Sequence, residues 1–320
     1  MYQSLHYAKF TLAAFFLCSI SLTSCSDKDS EPEISTETNT KKPSENHYAQ
    51  IPLNTRQNIK KVFPGKRLAS TEIDEYKTEL IYDGIFLTDY IGSKSDGAFK
   101  FVWEKDCIKI FNRQNYNASP ETAKPYRIGV LGESGNIEEI KNGDGTHISY
   151  LTYDTQNHLV EIQTIGNGEI DHKNYIALQH VGNTWETGNI SHKTTWSESL
   201  TEDVSIPDFT ETYTPIYNDM PNLAGLIGSR GIWIVFSHVD YSSLARTYTT
   251  FMDALYYTGL LGNSTKSLIK EIYHTIHWEN KPVLYDTFSY EYDSDGYPIK
   301  ITNTYGGGHI SSLTFIETGE

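Results

Sequence analysis

Apolar and polar side chains alternate along most of the chain, and three ten-residue segments repeat this alternation around a turn. They are Leu131–Ile140, Tyr153–Ile162 and Tyr292–Ile301. Each begins with an apolar or aromatic residue, has a centre containing Ser, Asn, Asp or Gly, and ends in isoleucine. Such centres adopt positive φ at low cost, and alternation places every second side chain on one face. With Ile148–Thr152 and Thr287–Glu291 as incoming strands, the pattern predicts successive hairpins of an antiparallel meander.

One part of the chain departs from this β pattern. Ser242–Leu261 spaces its apolar residues along one helical stripe, and Gly262-Asn263 follows as a stop. Gly231–Phe236, which includes Trp233, is a continuous apolar run and predicts a strand buried on both faces. Residues 218–231 predict a loop with one helical turn. The fold class is therefore mainly β, a curved antiparallel sheet wrapped around one long helix near 242–261.

The first 25 residues carry a different signal. Phe10–Ile20 is an apolar run that follows Lys9 and precedes Leu22-Thr23-Ser24-Cys25. The run is shorter than the roughly 20 residues that a transmembrane helix needs. This order, with a basic residue, a short apolar run and small residues before a cysteine, resembles a bacterial lipoprotein signal. The resemblance implies cleavage before Cys25 and acylation of its thiol by a fatty acid such as palmitate. The alternative is an ordinary secretory signal that is cut near the same place.

The segment after this cysteine predicts a tether. Ser26–Gln50 is polar, with Ile34 the one aliphatic residue among its first 22, and such a composition cannot offset the entropy of ordering. The predicted organisation is a signal peptide at 1–24, a lipidated cysteine and tether at 25–50, and one domain at 51–320. That domain carries a helical insertion at 218–262.

The hairpins and the lipoprotein signal together resemble a family of uncharacterised Bacteroidota lipoproteins. The shared features are the Y-D-x-x-(G/N)-x-x-x-x-I hairpins and the Asn-Leu stretch at Asn218–Leu223, and the resemblance covers residues 75–315. It implies a domain of unknown function with a porin-like sheet or half-barrel, and it carries no catalytic residues. It also implies lipid anchoring at the outer membrane, on the cell surface or the periplasmic face, because acidic residues follow Cys25.

Charge and cysteine content exclude some classes of function. Loss of residues 1–24 leaves 25 cationic and 41 anionic side chains, a net charge of −16, which disfavours nucleic acid as a partner. Cys18 leaves with the signal and Cys25 is acylated, so Cys107 has no disulfide partner. Cys107 lies in an alternating segment and is expected to be a buried strand residue. Twenty-three tyrosines against three methionines favour a β fold.

The motifs that could bind a metal ion or a phosphate group are each explained by an ordinary strand or turn. His274, His277 and Glu279 have zinc-binding side chains, but a strand would place the two histidines on opposite faces. Asp293–Gly296 begins like a calcium loop and lacks the closing glutamate, so a β-turn is expected. Turns are also expected at 142–145 and at Asn167-Gly168, and residues 305–309 are expected to form a hairpin loop. The sequence indicates no cofactor and no metal.

The tryptophans are the remaining lead to a binding site. Trp185 and Trp196 lie in a polar stretch, 182–201, which is interpreted as rich in loops, and exposed aromatic rings there would contact a ligand. The expected function is a non-enzymatic binding or structural role at the cell envelope, with capture of a glycan, lipid or protein by the concave sheet or its loops. The alternatives are an envelope glycan hydrolase that uses carboxylates from different strands, and an adhesion or shell module.

Overall fold

A computed structural model describes most of the predicted domain. It describes residues 48–73, 76–92, 97–170, 173–202, 210–226, 251–252, 254–276, 278, 281–304 and 308–317. Cys25, the predicted strand 231–236 and residues 242–250 of the predicted helix lie outside the described residues. Within the described part of the chain, no helix is both long enough and apolar enough to cross a bilayer.

Sixteen strands account for most of the described residues. They are β1 Arg67–Ile73, β2 Tyr76–Asp83, β3 Phe86–Gly92, β4 Ala98–Trp103, β5 Cys107–Asn112, β6 Arg127–Leu131, β7 Ile137–Asn142, β8 His147–Tyr153, β9 Leu159–Ile170, β10 Lys173–Glu186, β11 Asn189–Ser199, β12 Glu211–Pro221, β13 Ser267–Ile276, β14 Val283–Tyr292, β15 Pro298–Asn303 and β16 His309–Ile316. Helices α1 Leu53–Val62 and α2 Arg113–Ala118 accompany them, together with helical residues at 251–252 and 254–256. The mainly β prediction is confirmed.

The strands close into a barrel. Each pairs antiparallel with its neighbours along the chain, and β1 pairs with β16, for example Thr71 opposite Leu313. Since consecutive strands alternate in direction, the connections β2–β3, β6–β7, β8–β9, β10–β11 and β14–β15 all lie at one end, which we term the capped end. The predicted curved meander is thus a complete ring whose first and last strands meet.

The three predicted hairpins are present as β6–β7, β8–β9 and β14–β15. Gly135, Asn157 and Gly296 have positive φ in their turns, which explains why Gly or Asn stands at these positions. In the last two turns a carboxylate Oδ1, of Asp154 or Asp293, accepts hydrogen bonds from two backbone N–H groups further along the turn. The repeated sequence therefore encodes a repeated turn geometry.

Three loop or turn predictions are wrong. Asn167 and Gly168 continue β9, where they pair with Ile176 and Tyr175 of β10. Residues 182–201 form mostly the two long strands β10 and β11, which join at the tight turn Thr187-Gly188. Residues 218–221 belong to β12. Turn-forming residues permit a turn without requiring one, and here the pairing of neighbouring strands continues through them.

The end of the predicted helix is also earlier than expected. Residues 251–252 and 254–256 are helical, residues 257–259 form a turn, and Gly259 has a φ of +79°. The helix therefore stops at Tyr256, before Leu261 and Gly262. Gly259 lies against the backbone of Ile59 in α1, where a side chain would be crowded, so the close approach of two elements determines this stop.

The capped end is closed by α1 and by residues 254–263. Thr55, Asn58, Ile59 and Val62 form the buried face of α1 at helical spacing. Asn58 donates to Asn136 in the β6–β7 turn, Asn136 donates to Asn157 in the β8–β9 turn, and the side chain of Asn263 donates to the carbonyl of Gln156. The sequence patterns did not predict α1. Tyr48, inside the range assigned to the tether, stacks on Phe86 of β3.

The interior of the barrel contains a large apolar core. Phe99, Phe101 and Trp103 of β4 are buried and alternate with half-buried residues. Phe251 packs edge-on against Phe99, and Leu255, Tyr256 and Leu260 belong to the same buried core. Residues 251–252 and 254–261 thus pack against the inner faces of the strands.

The outer face of the barrel carries ion pairs. Lys77 and Glu79 lie 2.7 Å apart, Lys141 and Glu139 lie 2.9 Å apart, and the cross-strand pair Lys300 and Glu291 lies 2.6 Å apart. Exposed apolar side chains such as Ile81, Ile165 and Ile176 also lie on this face, so its charged and apolar positions are mixed.

Candidate functional site

Trp196 of β11 and His180 of β10 are direct partners in the β10–β11 ladder. The next pair, Val181 with Thr195, is buried and faces the interior. Because side chains alternate across a strand, His180 and Trp196 face outwards. The structure thus places one of the two predicted tryptophans on the outer surface of the barrel wall.

The two rings form a close stack. Their centroids are 4.6 Å apart and their planes differ by 5°. Gly182 lies beside them, and a methyl group at this position would lie 3.1 Å from Cζ3 of the indole. The glycine therefore leaves room for the indole to lean over the backbone of β10, and the stack covers His180 so that it is only 5% exposed.

Two carboxylates flank His180 on opposite sides of its ring. Nδ1 lies 3.0 Å from Oε1 of Glu161, which also accepts a hydrogen bond from the amide of Gln163. Nε2 lies 3.8 Å from Oε1 of Glu198, beyond hydrogen-bond distance. Nε2 is buried and has no hydrogen-bond partner among the described residues. We term Glu161, Gln163, His180, Gly182, Trp196 and Glu198 the Trp196 patch.

The other predicted tryptophan has a different environment. Trp185 stacks on His158 at 4.2 Å, and its indole N–H donates to the carbonyl of Leu159 at 2.9 Å. It packs against the buried core near the capped end. A partly buried ring that packs on the core and whose N–H is bonded to backbone supports the fold, so Trp185 does not share a site with Trp196.

A second group of polar side chains lies inside the barrel wall. Lys193 is 0% exposed, and its ammonium lies over the ring of Tyr213. Burial lowers the pKa of Lys193 from 10.5 to about 7, and the negative charge of Glu211 opposes this shift. The Tyr213 hydroxyl donates to Glu211, and Nε2 of His274 lies 3.4 Å from the same carboxylate. The group is a buried network that joins β11, β12 and β13.

The residues considered as metal ligands have other contacts. His274 stacks on Tyr213 inside the wall, while His277 and Glu279 lie outside the described residues. Asp293 and Asp295 form the expected turn, and the ammonium of Lys66 binds both carboxylates. Among the residues that the structure describes, no group of three or more His, Cys, Asp or Glu side chains could hold a metal ion.

Cys107 lies in β5, as predicted, and is half-buried rather than buried. Burial and the nearby Glu104 carboxylate raise the pKa of its thiol to about 11. Its Sγ lies 3.6 Å from Oε2 of Glu104. The thiolate is therefore scarce at neutral pH, and this environment disfavours a nucleophilic role.

The residues that complete the Trp196 patch could not be identified as a group beforehand. Glu161 and His180 come from different strands, and only the β9–β10–β11 register brings them to one spot. The one local signal was Trp196-Ser197-Glu198, since residues two apart share a face if the segment is a strand. The interpretation of 182–201 as loop obscured that signal.

Among the comparisons with known proteins, only the comparison of structures finds similar proteins. No protein-family profile matches the chain, and no curated protein matches it. The structural neighbours are porin-like proteins from Bacteroides. A porin-like protein from Bacteroides vulgatus aligns with a TM-score of 0.48 and 12% identity, over 78% of this chain and 99% of that one. A second, from Bacteroides uniformis, aligns with a TM-score of 0.46 and 13% identity, over 78% and 96%.

Proposed function

We propose that this protein is a lipid-anchored, non-enzymatic binding protein of the cell envelope and that its ligand, a glycan, docks on the Trp196 patch. The observation that carries the proposal is the outward, partly exposed indole of Trp196, which is held by His180 and bordered by carboxylate and amide groups. Aromatic faces stack on the apolar faces of sugar rings, and the polar border supplies partners for hydroxyl groups.

The position of the site supports an external ligand. The apolar side chains of residues 251–252 and 254–261 occupy the barrel interior, so the inner, concave side of the sheet is already packed. Among the described residues, the outer face of β9–β11 is where polar and aromatic groups meet without such a cover. We therefore assign binding to the outer wall in place of the concavity expected from the sequence.

The proposed anchor is the acylated Cys25, in a lipoprotein of the Bacteroidota type. The lipoprotein signal supports acylation, which would hold the barrel at the outer membrane through its lipid chains. A multiply acylated cysteine gives stable attachment where a single chain does not. The ligand is then captured at the envelope surface.

The hydrolase alternative has one observation in its favour. Glu161 and Glu198 lie on different strands and approach the same imidazole, so their carboxylates are within about 10 Å of each other, a separation known from glycosidases. However, His180 occupies the space between them, where the scissile bond would have to lie. The carboxylates of Glu161 and Glu198 also lie on the outer face of the barrel wall. Binding without cleavage is therefore the better-supported function.

Titration calorimetry with matched β-1,4-linked tetrasaccharides tests the proposal. The wild-type protein is expected to bind at least one of the tetramers of glucose, glucosamine and N-acetylglucosamine, and Trp196→Ala is expected to lose that binding. Tyr76→Ala is the control, because Tyr76 is a 49% exposed aromatic residue on β2, a strand far around the barrel from β9–β11, and its loss should leave binding unchanged.

Two outcomes would contradict the proposal. One is the absence of binding to all three tetramers in the wild type. The other is equal binding by wild type and Trp196→Ala. Mass spectrometry of the recovered tetramer separates binding from hydrolysis, since cleavage products that disappear in Glu161→Gln or Glu198→Gln would favour the hydrolase.

A further inference from the structure

We infer that the Trp196 patch selects a sugar carrying a positive charge, an amino sugar with a free ammonium group, over neutral and acidic sugars. This inference rests on the proposed function, because it concerns the ligand of the same site. It identifies Glu198 as the specificity-determining residue.

The first support is the position of Glu198 relative to Trp196. The two residues lie two apart on β11 and so face the same side of the sheet. The side chain of Glu198 is 60% exposed. A sugar ring stacked on the indole would place a ring substituent near this carboxylate. An ammonium substituent would then meet both the negative charge and the electron-rich face of the indole.

The second support is the buried Nε2 of His180. His180 is 95% buried, and its Nε2 points towards Glu198 at 3.8 Å without a hydrogen-bond partner among the residues described. Buried polar atoms are generally paired in native proteins. A ligand ammonium that binds Glu198 would lie next to this unpaired nitrogen, whereas the other imidazole nitrogen is already engaged by Glu161.

The same geometry disfavours a metal ion. Nδ1 and Nε2 lie on opposite sides of the imidazole, so Glu161 and Glu198 approach different nitrogens and do not converge on a common point. An anionic sugar is disfavoured because its carboxylate or sulfate would lie beside Glu198. The remaining ligand chemistry is a cation carried by a ring that can stack.

The test compares tetramers of glucosamine and glucose in one buffer at about pH 6, where amines are protonated and carboxylates are ionised. The wild type is expected to bind the glucosamine tetramer about three- to fivefold more tightly, as an exposed cation–π contact and ion pair would give. Glu198→Gln is expected to remove this preference and to retain binding of the glucose tetramer.

A matched control separates a local effect from the general attraction of an acidic protein for a cation. Glu291 is 64% exposed on the outer face of β14, so Glu291→Gln removes the same charge elsewhere and should keep the preference. If Glu198→Gln and wild type show the same preference while Trp196→Ala loses binding, the inference fails and the proposed function stands. If no tetramer binds the wild type, the proposed function itself fails.

Discussion

The imidazole of His180 lies parallel to the indole of Trp196, with 4.6 Å between the ring centroids. The stack holds the indole in one orientation on the outer wall. The binding surface is therefore organised before a ligand arrives, and the cost of ordering the side chain on binding is reduced.

Removal of the supporting ring is expected to weaken binding while Trp196 remains present. His180→Ala should raise the Kd for a bound tetrasaccharide about fivefold, the equivalent of roughly 1 kcal/mol for a lost aromatic contact. His180→Phe keeps a flat ring and should retain most of the affinity. Calorimetric titration of both variants measures this, and equal affinity of His180→Ala and wild type would show that the stack has no part in binding.

Alanine substitutions at two glycines with nearly equal φ angles are expected to lower the stability of the fold by unequal amounts. Gly135 has a φ of +83°, and a Cβ there would lie 2.7 Å from the backbone nitrogen of Thr55 in α1. Gly145 has a φ of +88° and open space around it. We expect Gly135→Ala to lower the free energy of unfolding by about 3 kcal/mol, from backbone strain and a displaced helix, and Gly145→Ala by about 1 kcal/mol.

Urea unfolding of the two glycine variants provides the measurement. Equal losses would contradict the described packing of α1 against the β6–β7 turn. A larger loss at Gly145 would contradict it more strongly.

Because the amine of Lys193 is buried, the stability of the fold is expected to depend on pH. Its pKa is about 7 in the fold and 10.5 in an ordinary environment, so the unfolded chain binds more protons than the folded one between these values. The contribution of Lys193 to the free energy of unfolding should therefore increase as the pH rises from about 7 to 10.5. This contribution should be least favourable to the fold below pH 7. Lys193→Met removes the titrating amine and should flatten this part of the profile.

The measurement is the urea midpoint of wild type and Lys193→Met at several pH values between about 6.5 and 9.5. The wild type is expected to gain stability relative to the variant as the pH rises. Parallel profiles would mean that Lys193 titrates normally in the fold and is not held in a desolvated environment.

Acylation of Cys25 predicts the location of the protein. Cys25→Ala should no longer incorporate a palmitate analogue and should move from the membrane fraction to the soluble fraction of the cell. Cys107→Ala is the control and should stay with the membranes. If Cys25→Ala remains in the membrane fraction, the signal acts as an ordinary secretory signal, or another part of the chain provides the attachment.

The hairpins were predictable because their geometry is encoded locally. Gly135, Asn157 and Gly296 take the positive φ angles that their turns require, and alternation marks the flanking strands. Closure of the barrel was not predictable in this way, because it depends on the pairing of β1 with β16, which are distant in sequence. Asn167-Gly168 shows the limit of the local argument, since the same residue types continue a strand when both neighbours pair with β10.

The site was predictable only in part for a related reason. Trp196 was a candidate from composition and context. Its partner His180, however, is set by cross-strand register, and a shift of one residue would have placed His180 inside the barrel. Trp185 was an equally plausible candidate, and only its bond to Leu159 and its core contacts identify it as structural.

The most direct test of the binding site is a titration followed through the indole N–H signals in NMR, each assigned by a Trp→Phe variant. We expect the Trp196 signal to shift as the bound tetrasaccharide is added, while the signals of Trp103 and Trp185, whose N–H groups donate to the carbonyls of Leu87 and Leu159, stay in place. Shifts at Trp185 with none at Trp196 would contradict it and would place the ligand at the capped end.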